Sequence, residues 1–507
     1  MSLSGIDLIV VIVYAIGIFG LAQWVSRDKG GKAKDSAEYF LASKSLPWWA
    51  IGASLIAANI SAEQIVGKFF LPIFLRHEIY TMPQFLEQRY GPSIRTLMAV
   101  FWLGLYVFVN LTSIIWLGSI AVNQVAGVNQ DFALIGLGLF ALLYQLKGGL
   151  KAVALTDIVQ VTLLVVGGLI VSGLALSELG GDAGMFGGFH RLVDEAPGHF
   201  HMILSKDNAF YKDLPGISVL VGGMWIANLS YWGFNQYIIQ RALAAKNLGE
   251  AQKGIVFAAF LKLLMPMVIV LPGIAAVILA PNLAKPDEAY PTMMRLLPPG
   301  LLGLVFAALI AAIVASTASK INSIATIFTL DLYAKRRGAT SIAEDGSTIV
   351  ADPAVERNLV KVGRIAAAVA ILLAMITARP LLGKSDQAFQ YIQEYTGFFT
   401  PGIVVIFMLG LFWKRATEAG ALIAAIASFA ISLLLKYAAP EIPFMNRMLI
   451  AFVIALVLAV IASLVRPQPS AANRIVTRDV DYSTTRGFNI ASVGVVMILV
   501  ALYATWW

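Results

Sequence analysis

Cysteine is absent from this chain of 507 residues, so disulfides, zinc–thiolate sites and cysteine-bound iron–sulfur clusters are excluded. Charge is scarce: 37 Lys and Arg with 29 Asp and Glu make only 13%, against about 25% in a soluble domain. Histidine occurs four times (His77, His190, His199, His201), each time between apolar runs. An intramembrane enzyme needs nucleophile–base pairs or metal ligands inside its spans, so no enzyme is expected, and His199-Phe200-His201 reads as an ordinary loop pair. What takes the place of charge is apolar, at 59% of all residues. No soluble core of this size hides so much apolar surface. The composition therefore excludes a water-soluble enzyme and predicts an all-α polytopic membrane protein. A net charge of +8 is then the excess of Lys and Arg expected in cytoplasmic connections. The bilayer, and no nucleic acid, is the expected partner.

A membrane span needs ~20 mainly apolar residues. Such stretches run over 6–25, 48–75, 97–122, 131–146, 152–176, 215–240, 254–281, 299–333, 360–378, 386–413, 417–436, 447–465 and 487–506. Asp7 opens the first, and no small-residue cleavage site follows it; a span rather than a cleaved leader is expected. Seven basic connections, among them 27–44, 76–95, 335–364 and 466–486, hold 25 of the 37 cations. They belong in the cytoplasm, with both termini outside. The alternation fails once. Loops 27–44 and 76–95 are both basic, yet one apolar stretch, 48–75, separates them. As helix its residues reach ~42 Å, which is one crossing, and one crossing cannot join two cytoplasmic loops. Either 48–75 is re-entrant or a crossing is missing.

A local pattern occurs twice. Ala57-Ala58-Asn59-Ile60-Ser61 returns as Ile226-Ala227-Asn228-Leu229-Ser230, followed by Gln64 and Gln236. Asn and Ser compete for backbone hydrogen bonds and weaken a helix. Unwound backbone inside a membrane is tolerated only against protein or a cavity, and paired interrupted helices, one per repeat, mark transporter sites at the midplane. Polar glue between helices is the plainer alternative. The intramembrane charges Glu63, Asp157 and Lys262 point the same way, since such charges are costly and usually functional; Asp157 also reads as an ordinary helix-end charge. Lys68 and Lys320 also lie within apolar stretches. Tyr231, Trp232 and Gln393 combine hydrogen bonding with flat rings, as a sugar requires. The run 311–319, Ala-Ala-Ile-Val-Ala-Ser-Thr-Ala-Ser, suits close packing, and its carbonyls and hydroxyls are hard ligands of the kind sodium prefers.

Four stretches carry a family resemblance: SLPWWAIGASLIAANISAEQ (45–64), NLSYWGFNQYIIQRALAAK (228–246), FAALIAAIVASTASKINSIATIFTLDLY (306–333) and QAFQYIQEYTG (387–397). With them the chain resembles the sodium/solute symporter family over nearly its whole length. The resemblance implies a single transporter domain, 1–507, with a LeuT-type inverted five-plus-five helix repeat. The first repeat falls at about 48–176 and the second at about 215–413, with flanking spans 6–25, 417–436, 447–465 and 487–506. It implies sodium-coupled uptake of a galactose- or glucose-type sugar by alternating access in a bacterial inner membrane, with no cofactor beyond sodium as coupling ion. The implied sodium ligands are the carbonyls of Ala57, Ile60 and Ala312 and the hydroxyl of Ser316. The family presents two adjacent serines here, and Ala315 replaces the first, so one hydroxyl ligand is missing. Thr317 is adjacent but about 100° further round a helix and would have to rotate in. Asp157 resembles the acid that guides sodium inward. The implied sugar contacts are Gln64, Asn228, Lys262 and Gln393, with Tyr231 as inner gate and Trp232 and Tyr106 lining the cavity.

A second departure follows Gln64, where about a helix's worth of family sequence, roughly 25–30 residues, is absent. It includes further sugar contacts. The charge alternation locates a missing crossing at the same place, and impaired transport is expected. A sensor or degenerate relative that binds without moving solute is the rival function, another small solute is the rival to sugar, and proton coupling is the rival to sodium.

Overall fold

The computed structural model describes residues 3–25, 48, 51, 66–77, 79, 81–208, 211–212, 214–337, 340–342, 348–350, 353–383, 388–467 and 480–507. Its α-helices of seven residues or more are α1 (Gly5–Val25), α2 (Met82–Arg89), α3 (Pro92–Gly104), α4 (Thr112–Ala126), α5 (Gln130–Gly180), α6 (Gly184–Glu195), α7 (Gly223–Leu229), α8 (Gln236–Leu243), α9 (Leu248–Leu263), α10 (Leu271–Leu279), α11 (Leu301–Thr326), α12 (Pro353–Leu382), α13 (Ala388–Thr396), α14 (Thr400–Phe412), α15 (Glu418–Ala438), α16 (Phe444–Val465) and α17 (Arg486–Thr505). Short π-helical stretches join several of them, at Leu105–Leu111, Ser230–Phe234, Pro266–Val270 and Ile327–Ala334. Among the described residues the one sheet is a hairpin, β1 (Thr340–Ile342) with β2 (Thr348–Val350), in the basic connection before α12.

Nine helical stretches among the described residues are long and apolar enough to cross a membrane. The pair Gln390–Thr396 and Thr400–Phe412, bent by 47°, makes a tenth, and Gly5–Leu21 and Gln130–Gln145 are shorter apolar helices. These twelve coincide with twelve of the thirteen expected spans. The remaining one, 48–75, lies mostly outside the described residues. One boundary differs. The sequence separates spans 131–146 and 152–176 at a basic Gly-Gly connection, whereas α5 runs unbroken for 51 residues, ~76 Å of helix. Glycine disfavours helix by only about 1 kcal/mol, and no proline stands in this stretch to end it.

Polarity is turned inside out relative to a soluble protein. Ile9, Val13 and Ile16 of α1 are exposed, while Gln145, Gln160, Gln236 and Gln240 are buried. Apolar side chains can face lipid tails at no cost, and polar ones must find partners within the bundle. Without a hydrophobic drive between helices, contact depends on small residues. Along α15 and α16 these are Ala421, Ala424, Ala425 and Ser428 with Ala451, Ala455, Ala459 and Ser463, all buried. α1 meets α11 through Gly303, where a Cβ would lie 2.6 Å from Asp7 Cα. The close approach lets the Asp7 carboxylate accept from the amides of Gly300 and Gly303, both at 2.7 Å, at the start of α11, where unpaired N–H groups favour an anion.

Candidate solute and cation site

The segment that builds the site is the second copy of the repeated pattern. Ala227, Asn228 and Leu229 remain in α7, Ser230 begins a π-helical turn that runs to Phe234, and Asn235 is extended (φ −86°, ψ 118°) before α8 starts. The interruption expected at Asn228–Ser230 therefore lies five to seven residues later. The physical reason is Asn235 itself. Its side-chain oxygen accepts from the Tyr237 amide at 3.2 Å, capping α8, and from the Tyr106 hydroxyl at 2.5 Å. Asn228 has no such cap to offer from within a helix. Asn235 was missed in the sequence, although an Asn before a new helical run is an N-cap signal. The first copy, with Ala57, Ile60, Glu63 and Gln64, lies outside the described residues.

Beside this break is a cavity of about 510 Å³, within the 300–1,000 Å³ usual for small-molecule sites. Asn228, Ser230 and Tyr231 line one side. Ala312, Ser316 and Lys320 of α11 line another, and Gln393 and Thr396 of α13 a third. Phe444, Met445 and Met448 of α16 add an apolar wall. The structure thus brings together five of the expected residues: Asn228, Tyr231, Gln393, Ala312 and Ser316. Tyr106 and Trp232 are fully buried beside the break but do not line the cavity. Tyr106 supports Asn235, and the Trp232 ring packs 6.2 Å from that of Tyr231. Lys262 sits half-buried near the end of α9, off the cavity wall. Asp157 lies within α5, with its side chain outside what is described.

Ala312, Ser316 and Lys320 are spaced four apart and so share one helix face. Ala315 points away and is wholly buried, its carbonyl accepting from the Ser319 hydroxyl at 2.8 Å. The Thr317 hydroxyl donates to the Ile313 carbonyl at 2.7 Å. Thr317 is buried and does not line the cavity, so its hydroxyl does not replace the missing one.

Toward the basic connection 335–364, polar contacts join α8 and α11. Arg241 donates to Ser319 Oγ at 2.7 Å, Ser323 Oγ donates to Gln240 Oε1 at 3.1 Å, and Gln240 Nε2 lies 3.4 Å from Thr326 Oγ1. Further out, Gln236 accepts from the Met82 amide at 2.8 Å. Buried Asp331 accepts from Arg95 at 2.8 Å and from Thr81 at 2.9 Å. Glu87 pairs with both Arg95 and Lys335. Burial pushes the Glu87 carboxyl up, but the two cations outweigh it and hold its pKa below the usual glutamate value.

A match to the sodium:solute symporter family spans residues 64–428. The chain belongs to this family. It is 47% identical over 551 aligned positions to a sodium/glucose cotransporter of Vibrio parahaemolyticus, covering 100% of this chain and 99% of that protein. It is 32% identical over 477 positions to a sodium/myo-inositol cotransporter 2 of Bos taurus, covering 83% of this chain and 68% of that one. Among solved structures, a Na+-coupled sialic acid symporter in a substrate-bound outward-open state superposes with a TM-score of 0.75 at 20% identity, over 92% of this chain and 99% of that one. The fold is therefore the LeuT-type helical fold expected from the sequence, and the chain is a multi-span membrane protein of a transporter family.

Proposed function

We propose that this protein carries a galactose- or glucose-type sugar together with sodium across a bacterial inner membrane by alternating access. The observation that carries the reading is the cavity, where Asn228, Tyr231 and Gln393 meet the Ala312–Ser316 face of α11 beside an interrupted helix. Asn228 and Gln393 supply donors and acceptors for hydroxyls, and Tyr231 supplies a ring for a sugar's C–H face. Ala312 and Ser316 supply hard oxygens for sodium, with Ala57 and Ile60 as their expected partners. Asp157 serves the sodium exit path, and Gln64 and Lys262 complete the sugar contacts after rearrangement. Repeats at about 48–176 and 215–413 and outside termini follow from the repeated pattern and the loop charges. The sodium/glucose cotransporter match supports the choice of solute and ion.

The alignment runs over 551 positions against the 507 residues of this chain, so 44 positions have no counterpart here. A gap of about one helix among them, after Gln64, removes sugar contacts and slows turnover. The test is uptake of labelled glucose and galactose into proteoliposomes under an inward sodium gradient, alongside equilibrium binding. Uptake that stops when choline replaces sodium supports the reading. Finding neither sodium-stimulated flux nor sodium-dependent binding of either sugar sinks it, and binding without flux selects the sensor.

A further inference from the structure

Among the described residues that line the cavity, Lys320 is the one acidic or basic side chain, and the proposed transport cycle makes no use of it. It is 3% exposed. Its ammonium donates to Asn110 Oδ1 at 2.9 Å and lies 3.5 Å from the centre of the Tyr237 ring and 4.8 Å from that of Tyr106. An amide oxygen and two ring faces solvate a cation, but none of them neutralises it. A second cation shares the same ring: Arg241 sits 5.1 Å from the Tyr237 ring, donating to Ser319 and to the Tyr237 carbonyl. No carboxylate among the described residues forms a salt bridge with Lys320. Among the described residues nothing of opposite charge offsets Lys320, in a setting where intramembrane charge is costly.

The place of this charge matters. Lys320 lies one helical turn beyond Ser316 on the face that also carries Ala312, a rise of about 6 Å. Helical side chains lean toward the N-terminus, and both Lys320 and Ser316 line the cavity. We propose that Lys320 is a fixed cation that sets the sodium affinity of the Ala312–Ser316 site low by direct repulsion. This rests on the proposed sodium coupling and deepens it. Two unit charges about 6 Å apart at an effective dielectric of about 20 repel strongly enough to weaken binding about a hundredfold, and water in an open cavity reduces this toward tenfold. Lys320 and Ala315 thus act in the same direction. One repels the ion and the other withholds a ligand from it.

The purified full-length chain and its Lys320→Met and Lys320→Gln variants are heated in detergent, without sugar. Sodium chloride is titrated against choline chloride at constant ionic strength. A ligand that binds only the folded state raises the unfolding midpoint with occupancy. The sodium concentration giving half of the maximal shift is expected to fall at least about tenfold in both variants. Damage to packing lowers the starting midpoint but does not raise ion affinity, so a gain separates repulsion from a structural role. If either variant fails to fold, the other decides. Sodium-specific shifts with an equal or higher half-point in the variants overturn the inference and leave sodium coupling standing. If sodium does no more than choline in all three proteins, sodium coupling falls and the inference falls with it.

Discussion

Replacing Asn235 with alanine removes two bonds at once. The side-chain oxygen caps α8 through the Tyr237 amide and also accepts from the Tyr106 hydroxyl. Loss of an Asn cap costs about 1 kcal/mol. The Tyr106 hydroxyl, on a wholly buried side chain, is then left without that acceptor, at a cost of about 1–3 kcal/mol. Together Asn235→Ala is expected to destabilise the protein by about 2–4 kcal/mol. Tyr106→Phe alone removes the bond to Asn235, worth about 1 kcal/mol. In the double variant no orphaned hydroxyl remains, so Asn235→Ala with Tyr106→Phe is expected to be more stable than Asn235→Ala alone. This non-additivity is typical of residues that share one bond. Thermal unfolding of the four proteins in one detergent measures it. A double variant less stable than either single one would show that Asn235 and Tyr106 act independently, and the account of the helix break would be wrong.

Four further outcomes are expected. Ser316→Ala raises the sodium concentration needed for half-maximal uptake about tenfold, about 1.4 kcal/mol, while Thr317→Ala leaves it unchanged because that residue does not line the cavity; equal effects of the two in a sodium titration refute the assignment. Ala315→Ser lowers the same concentration if it restores a ligand, and a rise refutes that role. Arg95→Met strands the buried Asp331 carboxylate and costs about 3–5 kcal/mol, read as a lowered unfolding midpoint that Arg95→Lys partly recovers. Glu87 has a folded pKa below its unfolded one, so its stabilisation is complete above the usual glutamate value and is lost as pH falls through the lower folded value; Glu87→Gln lowers the midpoint at neutral pH and flattens the acid limb of a stability–pH curve, and an unchanged limb refutes the ion-pair explanation.

Much of the architecture was legible without coordinates. Apolar runs of span length need only composition and length to be recognised, and twelve of them recur as apolar helices. The exception within them, α5, turned on a Gly-Gly pair that weakens a helix without ending it. Site residues were readable where polarity alone marks them. Asn228, Tyr231 and Gln393 stand out against an apolar background, and the structure gathers them at one cavity.

Other features depend on which groups lie across from one another. Asn59 and Asn228 mark the repeated pattern, but the second break forms at Asn235, because only there do a helix start and a buried Tyr106 hydroxyl converge on one oxygen. Thr317 is a candidate ligand by composition and is excluded by its place off the cavity wall. Lys320 is one of three lysines in apolar stretches, no more distinctive in sequence than Lys68, which the structure leaves exposed. By itself the sequence determined the membrane as solvent, the number and order of most spans and the chemical class of the site, since these follow from local composition, spacing and loop charge. Only the tertiary structure decided where the helix opens, which hydroxyls on α11 line the cavity and which buried lysine shares its wall. Each of these depends on partners brought from more than a hundred residues away, or on the rotation of a side chain about its own helix, and neither is encoded in local pattern.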